Sequence, residues 1–227
     1  MINELIWALE DACAAAAVRS IVLTGEGKAF CAGGDFAEIT AGAGESALPH
    51  RGDFADLLLA LYRSDKPVIA KVNGDAMGGG LGLAAASTFA IASSNAKLGT
   101  PEIEVGLFPM MIMAVLARRV PRRRLLEMSL LGQRFGAAEA EHLGIVNRAV
   151  PPEQLDSEVK KIADAIASKS PIIVALGLRA FAAQDDLDLD RALPLLRDRL
   201  GECLSTEDAR EGLMAFLEKR PPEWRGR

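Results

Sequence analysis

The sequence predicts an α/β layered fold, and three observations carry that prediction. A helical period over residues 2–17 runs into a β-branched strand signal, Arg19–Thr24, which stops at Gly25. A strand, a glycine turn and a helix start then follow in one continuous unit, Lys66–Pro109 (KPVIAKVNGDAMGGGLGLAAASTFAIASSNAKLGTPEIEVGLFP). Beyond a short strand at Ile145–Val150, the last third reads as almost continuous helix. Strands alternating with helices call for sheets covered by helices.

The first helix is read from Ile2, Leu5, Ile6, Leu9 and Cys13, which recur at helical spacing. In the stretch GEGKAFCAGGDF, residues 25–36, glycines flank Phe30-Cys31-Ala32 and mark backbone that approaches a neighbour closely or adopts positive φ. Taken alone, it is an ordinary strand-to-helix connection. Residues 41–53, rich in Gly, Ala and Ser, read as a surface loop, and Phe54–Tyr62 as a short helix. Val68–Val72, set between Pro67 and Gly74, reads as a buried strand. Gly78, Gly79 and Gly80 then open a small-residue helix that runs through Ala86. Free amides at such a helix start favour negative charge. Further on, Pro101-Glu102-Ile103 places one carboxylate in what reads as a strand-like run. Amide donors and a lone acid in one unit suggest chemistry on a carbonyl.

Met110 to Met113 form a flexible apolar run, suited to filling core gaps or to lining an acyl pocket. The basic run Arg118, Arg119, Arg122, Arg123 and Arg124 reads as a solvated helix face, with ligand phosphate as the alternative partner. Helical patterns follow at Arg122–Leu131, Ala137–Leu143, Pro152–Ser168, Pro171–Ala183, Asp190–Leu204 and Thr206–Arg220. No repeat of fixed period is visible. Residues 1–150 and the helical 151–227 are read as parts of one domain.

Composition narrows the chemistry. The chain has 227 residues, half of them apolar and a quarter charged, with a net charge of −5, which argues against disorder and against nucleic acid as a partner. Three scattered cysteines and two distant histidines, His50 and His142, imply neither a disulfide frame nor a metal site, and make a Ser-His triad improbable. No stretch approaches the ~20 apolar residues that span a bilayer, and no signal-peptide pattern opens the chain. A cytoplasmic, membrane-free protein is the expectation.

Five stretches carry a resemblance: IVLTGEGKAFCAGGDF, KPVIAKVNGDAMGGGLGLA, AKLGTPEIEVGLFP, LLGQRFGAAEAEHLGIVNRAVPPEQL and STEDAREGLMAFLEKRPPEWRGR. In order and spacing the chain resembles the crotonase superfamily, the enoyl-CoA hydratase/isomerase family. The resemblance implies a spiral of ββα units followed by a helical C-terminal region used in forming a trimer or a dimer of trimers. It also implies an acyl-CoA thioester as ligand, coenzyme A being part of the substrate, with no separate cofactor. By motif position the oxyanion-hole amides fall on Gly34 and Gly79, and the catalytic acid on Glu102. Candidates for binding the substrate are the flexible or apolar Met77, Leu81, Phe108, Met110 and Met111, with Ala32. Two fixed amides on an enolate oxygen fit the chemistry, each worth roughly 3–4 kcal/mol by the cost of removing one.

Two departures stand out. Hydratases of the family carry a second glutamate two residues past the triple glycine, and here that position is Gly82. The Cys-Asp pair a few residues on is Ser87-Thr88. Hydration needs water activated at one carbon and a proton delivered at its neighbour, most simply by two groups. Shifting a double bond needs one carboxylate that removes a proton at one end of the allylic system and returns it at the other. A single glutamate therefore leans towards isomerisation, with one-glutamate hydration or a non-catalytic acyl-CoA-binding role as alternatives. Glu104 is a weaker candidate for a second acid. The other departure is the strand hairpin that opens most family members, which has no counterpart before the first helix and whose absence is expected to leave a sheet edge exposed.

Overall fold

The computed structural model describes residues 1–34 and 47–227. After helix α1 (Ile2–Ala14), the chain lays down β1 (Ile21–Thr24) and β2 (Ala29–Cys31), and resumes with α2 (Phe54–Tyr62). The next unit is β3 (Val68–Val72), β4 (Asp75–Met77) and α3 (Gly79–Ala86). A third follows as β5 (Phe89–Ser93) and β6 (Lys97–Gly99), then a 3-10 turn over Pro101–Val105 and helices α4 (Met110–Leu116) and α5 (Arg122–Leu131). Strand β7 (Arg134–Gly136), α6 (Ala137–His142) and β8 (Arg148–Val150) close the core. Beyond it lie α7 (Leu155–Ala167), α8 (Pro171–Gln184), α9 (Leu189–Ser205) and α10 (Glu207–Glu218).

The strands sort into two four-stranded sheets, in the orders β1-β3-β5-β8 and β2-β4-β6-β7. Up to β6, each odd strand joins the first sheet and each even strand the second, so every ββα unit adds one strand to both. The repeat is structural although the sequence shows no period. All pairs are parallel except β6 with β7. Parallel strands covered on both faces read as continuous apolar runs, and Val68, Ile69, Ala70 and Val72 are fully buried. The pleat divides them: Val68, Ala70 and Val72 belong to the main core, whereas Ile69 and Ile91 pack with Leu155 and Val159 of α7. Burying two such α7 side chains contributes roughly 1.5–3 kcal/mol each.

Helix α2 is held by a capping box. Asp53 accepts from the amides of Ala55 (2.8 Å) and Asp56 (3.2 Å), and Asp56 accepts from the Asp53 amide (2.9 Å). At the far end of the chain, the buried Asp208 carboxylate accepts from Ser170 Oγ (2.6 Å) and from the amides of Arg225 (2.7 Å) and Gly226 (3.1 Å). It thereby straps the final residues onto α8 and α10.

Several expectations are corrected. The connection at residues 25–36 contains a strand, β2, and β4, β6 and β7 are three-residue strands too short to show a period. Residues 35–46, which include Asp35-Phe36 and the first part of the expected surface loop, lie outside the described residues. The run after Pro101 is a 3-10 turn, because Pro101 occupies its first turn and Gly106, at φ 77°, ends it in the left-handed conformation. Within the basic run Arg122 and Arg123 are exposed, as a solvated helix face requires, while the other three have protein partners. Arg118 pairs with Asp186 (2.7 Å), Arg119 donates to the Ala85 carbonyl (2.6 Å), and Arg124 pairs with Glu127 (2.6 Å) and Glu139 (2.5 Å). Helix α1 ends at Ala14 and strand β8 starts at Arg148, both shorter than their patterns.

Candidate active site

The site is built where two glycine turns leave neighbouring strands. Strands β2 and β4 pair through Ala29–Asp75 and Cys31–Ala76, so the backbones leaving them, Ala32–Gly34 and Gly78–Gly80, emerge side by side. The paired strands that they leave lie ~4.8 Å apart. Contact between the turns is close enough to forbid side chains. A Cβ at Gly80 would sit 2.4 Å from the Cys31 carbonyl oxygen, and Gly33, at φ 107°, lies against the Met77 carbonyl. Gly78 has φ 51° and ψ −118°, and its amide donates to Gly99 O at 2.9 Å, tying the turn to β6. Gly79 takes the first position of α3, where an amide has no intrahelical acceptor. Gly34 is exposed and Gly79 half-buried.

Glu102 reaches the same place from β6. Met77 and Gly99 are paired across β4 and β6, and Thr100 is anchored by donating to the Met128 carbonyl at 3.0 Å. The 3-10 turn then folds Glu102 back over the glycines, with Oε1 3.0 Å from where a Cβ of Gly78 would be. Oε2 is buried and has no hydrogen-bond partner. Burial raises the carboxyl above its ordinary range, and a bond from its own backbone amide offsets that only in part. A buried oxygen without a partner is an acceptor held in reserve.

Three apolar side chains that sequence reasoning did not single out complete the walls. Phe54 of α2 lies over Gly79, its Cζ 3.3 Å from a Cβ there, and Leu58, one turn on, reaches Gly82. Ile112 of α4 fills the space at Gly82 itself: a Cβ there would lie 2.3 Å from its Cγ2 and 3.0 Å from its Cβ. The Phe54–Leu58 spacing was visible in the sequence, but it is the spacing of any apolar helix face.

Other sequence candidates fall elsewhere. Leu81 is fully buried in the main core. Met110 and Met111 stand 65% and 49% exposed on the first turn of α4, because Ile112 takes the inward position of that turn. Met77 and Phe108 are half-buried, and Ala32 is exposed beside the Gly33–Gly34 turn. Glu104 points outward and pairs with Arg134 at 3.1 Å on the surface, so it supplies no second acid. Ser87 and Thr88 serve the backbone, Ser87 Oγ donating to Leu83 O and Thr88 Oγ1 accepting from the Val68 amide. Among the described residues, no three His, Cys, Asp or Glu side chains gather as a metal site.

Comparison with known proteins matches this arrangement to a single family. The profile of the Enoyl-CoA hydratase/isomerase family fits residues 1–227. The crotonyl-CoA hydratase of Syntrophomonas wolfei is 40% identical over 210 residues, covering 90% of this chain and 79% of that protein. The carnitinyl-CoA dehydratase of Proteus mirabilis is 38% identical over 216 residues, covering 92% and 82%. The crystal structure of an enoyl-CoA hydratase from Mycobacterium smegmatis superposes with a TM-score of 0.90 at 35% identity, covering 99% of this chain and 88% of that one. By the family match over its whole length, the chain belongs to the enoyl-CoA hydratase/isomerase family and is an acyl-CoA enzyme.

Proposed function

We propose that this enzyme moves the double bond of an enoyl-CoA by proton transfer α to the thioester. Glu102 removes the proton from the α carbon, and the amides of Gly34 and Gly79 hold the charge that develops on the thioester oxygen. The same carboxyl then returns the proton at the γ carbon. One observation carries this reading: Glu102, half-buried and with one buried oxygen that has no hydrogen-bond partner, stands over Gly78, and the position of a second acid is Gly82. Apolar walls keep the local dielectric low, which strengthens the amide dipoles. The substrate brings its own coenzyme A, and no further cofactor is needed for proton transfer. Exposed apolar side chains on α9 and α10, among them Leu193, Leu200, Phe216 and Leu217, support assembly as a trimer or a dimer of trimers.

Hydration or dehydration is the second reading, favoured by the names of the relatives at 34–40% identity. Product analysis separates the two. Incubated with a β,γ-enoyl-CoA and, separately, its α,β isomer, the enzyme is expected to interconvert them without forming 3-hydroxyacyl-CoA. Accumulation of the hydroxyacyl product from either isomer replaces isomerisation by hydration. Tight binding with conversion of neither marks a chain that has lost its chemistry.

A further inference from the structure

We infer that Ile112 determines reaction specificity: with Leu58 it fills the volume beside Gly82, and so keeps a second acid, and any water it would hold, out of the site. The inference rests on the one-carboxylate reading above and extends it from a missing residue to an occupied space.

Gly78 and Gly82 are four residues apart, and the Gly82 amide donates to the Gly78 carbonyl at 3.1 Å. Gly78 is the N-cap of α3 and Gly82 lies one turn into it. Over Gly78 sits the Glu102 carboxyl, with Oε1 3.0 Å from the Cβ position. Over Gly82 sit Ile112 Cγ2 at 2.3 Å and Leu58 Cδ2 at 3.6 Å. Ile112 is 3% and Leu58 5% exposed, so both are held in place. From Gly78 to Gly82, one helical turn, the surroundings pass from carboxyl to hydrocarbon. An ordered water needs two to four polar partners, and methyl groups at Gly82 offer none. Glycine is enforced as well, since even an alanine Cβ overlaps Ile112. Loss of the acid and arrival of the plug are two sides of one packing solution.

The plug makes two linked predictions. Gly82→Ala is expected to lower the unfolding midpoint by about 5 °C in the wild-type background. In the Ile112→Ala background it is expected to cost little, because the remaining 3.0 Å contact relaxes with a shift of a few tenths of an ångström. Secondly, Gly82→Glu/Ile112→Ala is expected to form 3-hydroxyacyl-CoA from crotonyl-CoA at least about tenfold faster than wild type. Gly82→Glu alone is expected to show no such gain, being destabilised by the clash. Equal midpoints for wild type and Gly82→Ala, or equal effects in both backgrounds, overturn the plug. A folded double variant that hydrates no faster than wild type overturns its role in specificity. If the double variant does not fold, Ile112→Ala alone must show hydration rising relative to isomerisation, and an unchanged ratio overturns the proposal. Wild-type isomerisation of a β,γ-enoyl-CoA is measured in parallel. Its absence removes the proposed function, while the midpoint coupling still reports on the plug.

Discussion

Glu102→Gln is expected to lower turnover of a β,γ-enoyl-CoA by about 10²- to 10⁴-fold, the range that a positioned acid–base group supplies. The amide is nearly isosteric, so the two glycine turns and the apolar walls keep their places, and affinity for the CoA ester should stay within a few-fold of wild type. Turnover unchanged by this substitution removes Glu102 from the mechanism. Two pH signatures accompany the loss. Because proton removal requires the ionised carboxylate, wild-type kcat/KM should rise with pH through a pKa above the ordinary glutamate value, burial being the leading cause of the shift. Stability runs the other way. A carboxyl whose folded pKa is raised favours the native state fully below its unfolded value of about 4.3, and that contribution is lost as pH rises through the folded pKa. Relative to wild type, Glu102→Gln should therefore gain stability across that window and hold the gain above it. Thermal unfolding at pH 4 and pH 8 checks the sign.

Gly80→Ala is expected to produce the second-largest effect, about 10²-fold in kcat/KM together with about 1–3 kcal/mol of stability. Its Cβ would meet backbone, the Cys31 carbonyl oxygen at 2.4 Å, as well as Cys31 Cβ at 2.7 Å. Relief must come from the turns moving apart, since no flexible side-chain end stands in the way. That motion separates the strand ends carrying Gly34 and Gly79, and misplaced amides stabilise a developing oxyanion poorly. Gly177→Ala is the matched control. A Cβ there, within α8, meets nothing within 4 Å, so alanine should leave activity unchanged and stability equal or higher. Steady-state kinetics on folded Gly80→Ala showing wild-type kcat/KM would show that the spacing of the turns does not matter to catalysis.

Much of this architecture was legible in the sequence, and the reason is local. The strand Val68–Val72 and helices such as Phe54–Tyr62 and Arg122–Leu131 announce themselves because long apolar patterns outweigh competing signals. The three-residue strands do not, because pairing with neighbours creates them and their own composition carries no period. Glu102 was found by its motif, but its path was misread: Pro101 and Gly106 favour a tight 3-10 turn over an extended run. That turn aims Glu102 inward and Glu104 outward, whereas an extended strand would have put both on one face. Leu81, Met110 and Met111 were drawn to the site by apolar character alone, and only the packing of α3 and α4 shows which face each presents. The absence at Gly82 could be read directly. What fills it could not, because Ile112 lies thirty residues away and only tertiary contact joins the two.

The central claim is that one carboxyl both takes and returns the proton. A β,γ-enoyl-CoA bearing deuterium on the α carbon tests it most directly, with the product's γ carbon read by mass spectrometry and NMR. Transfer through Glu102 alone predicts that a measurable share of the label reappears at the γ carbon of the α,β product. Conversion in which none of the label reaches the γ carbon, even in a single turnover, would mean that the proton delivered there is not the one removed, and would contradict the account.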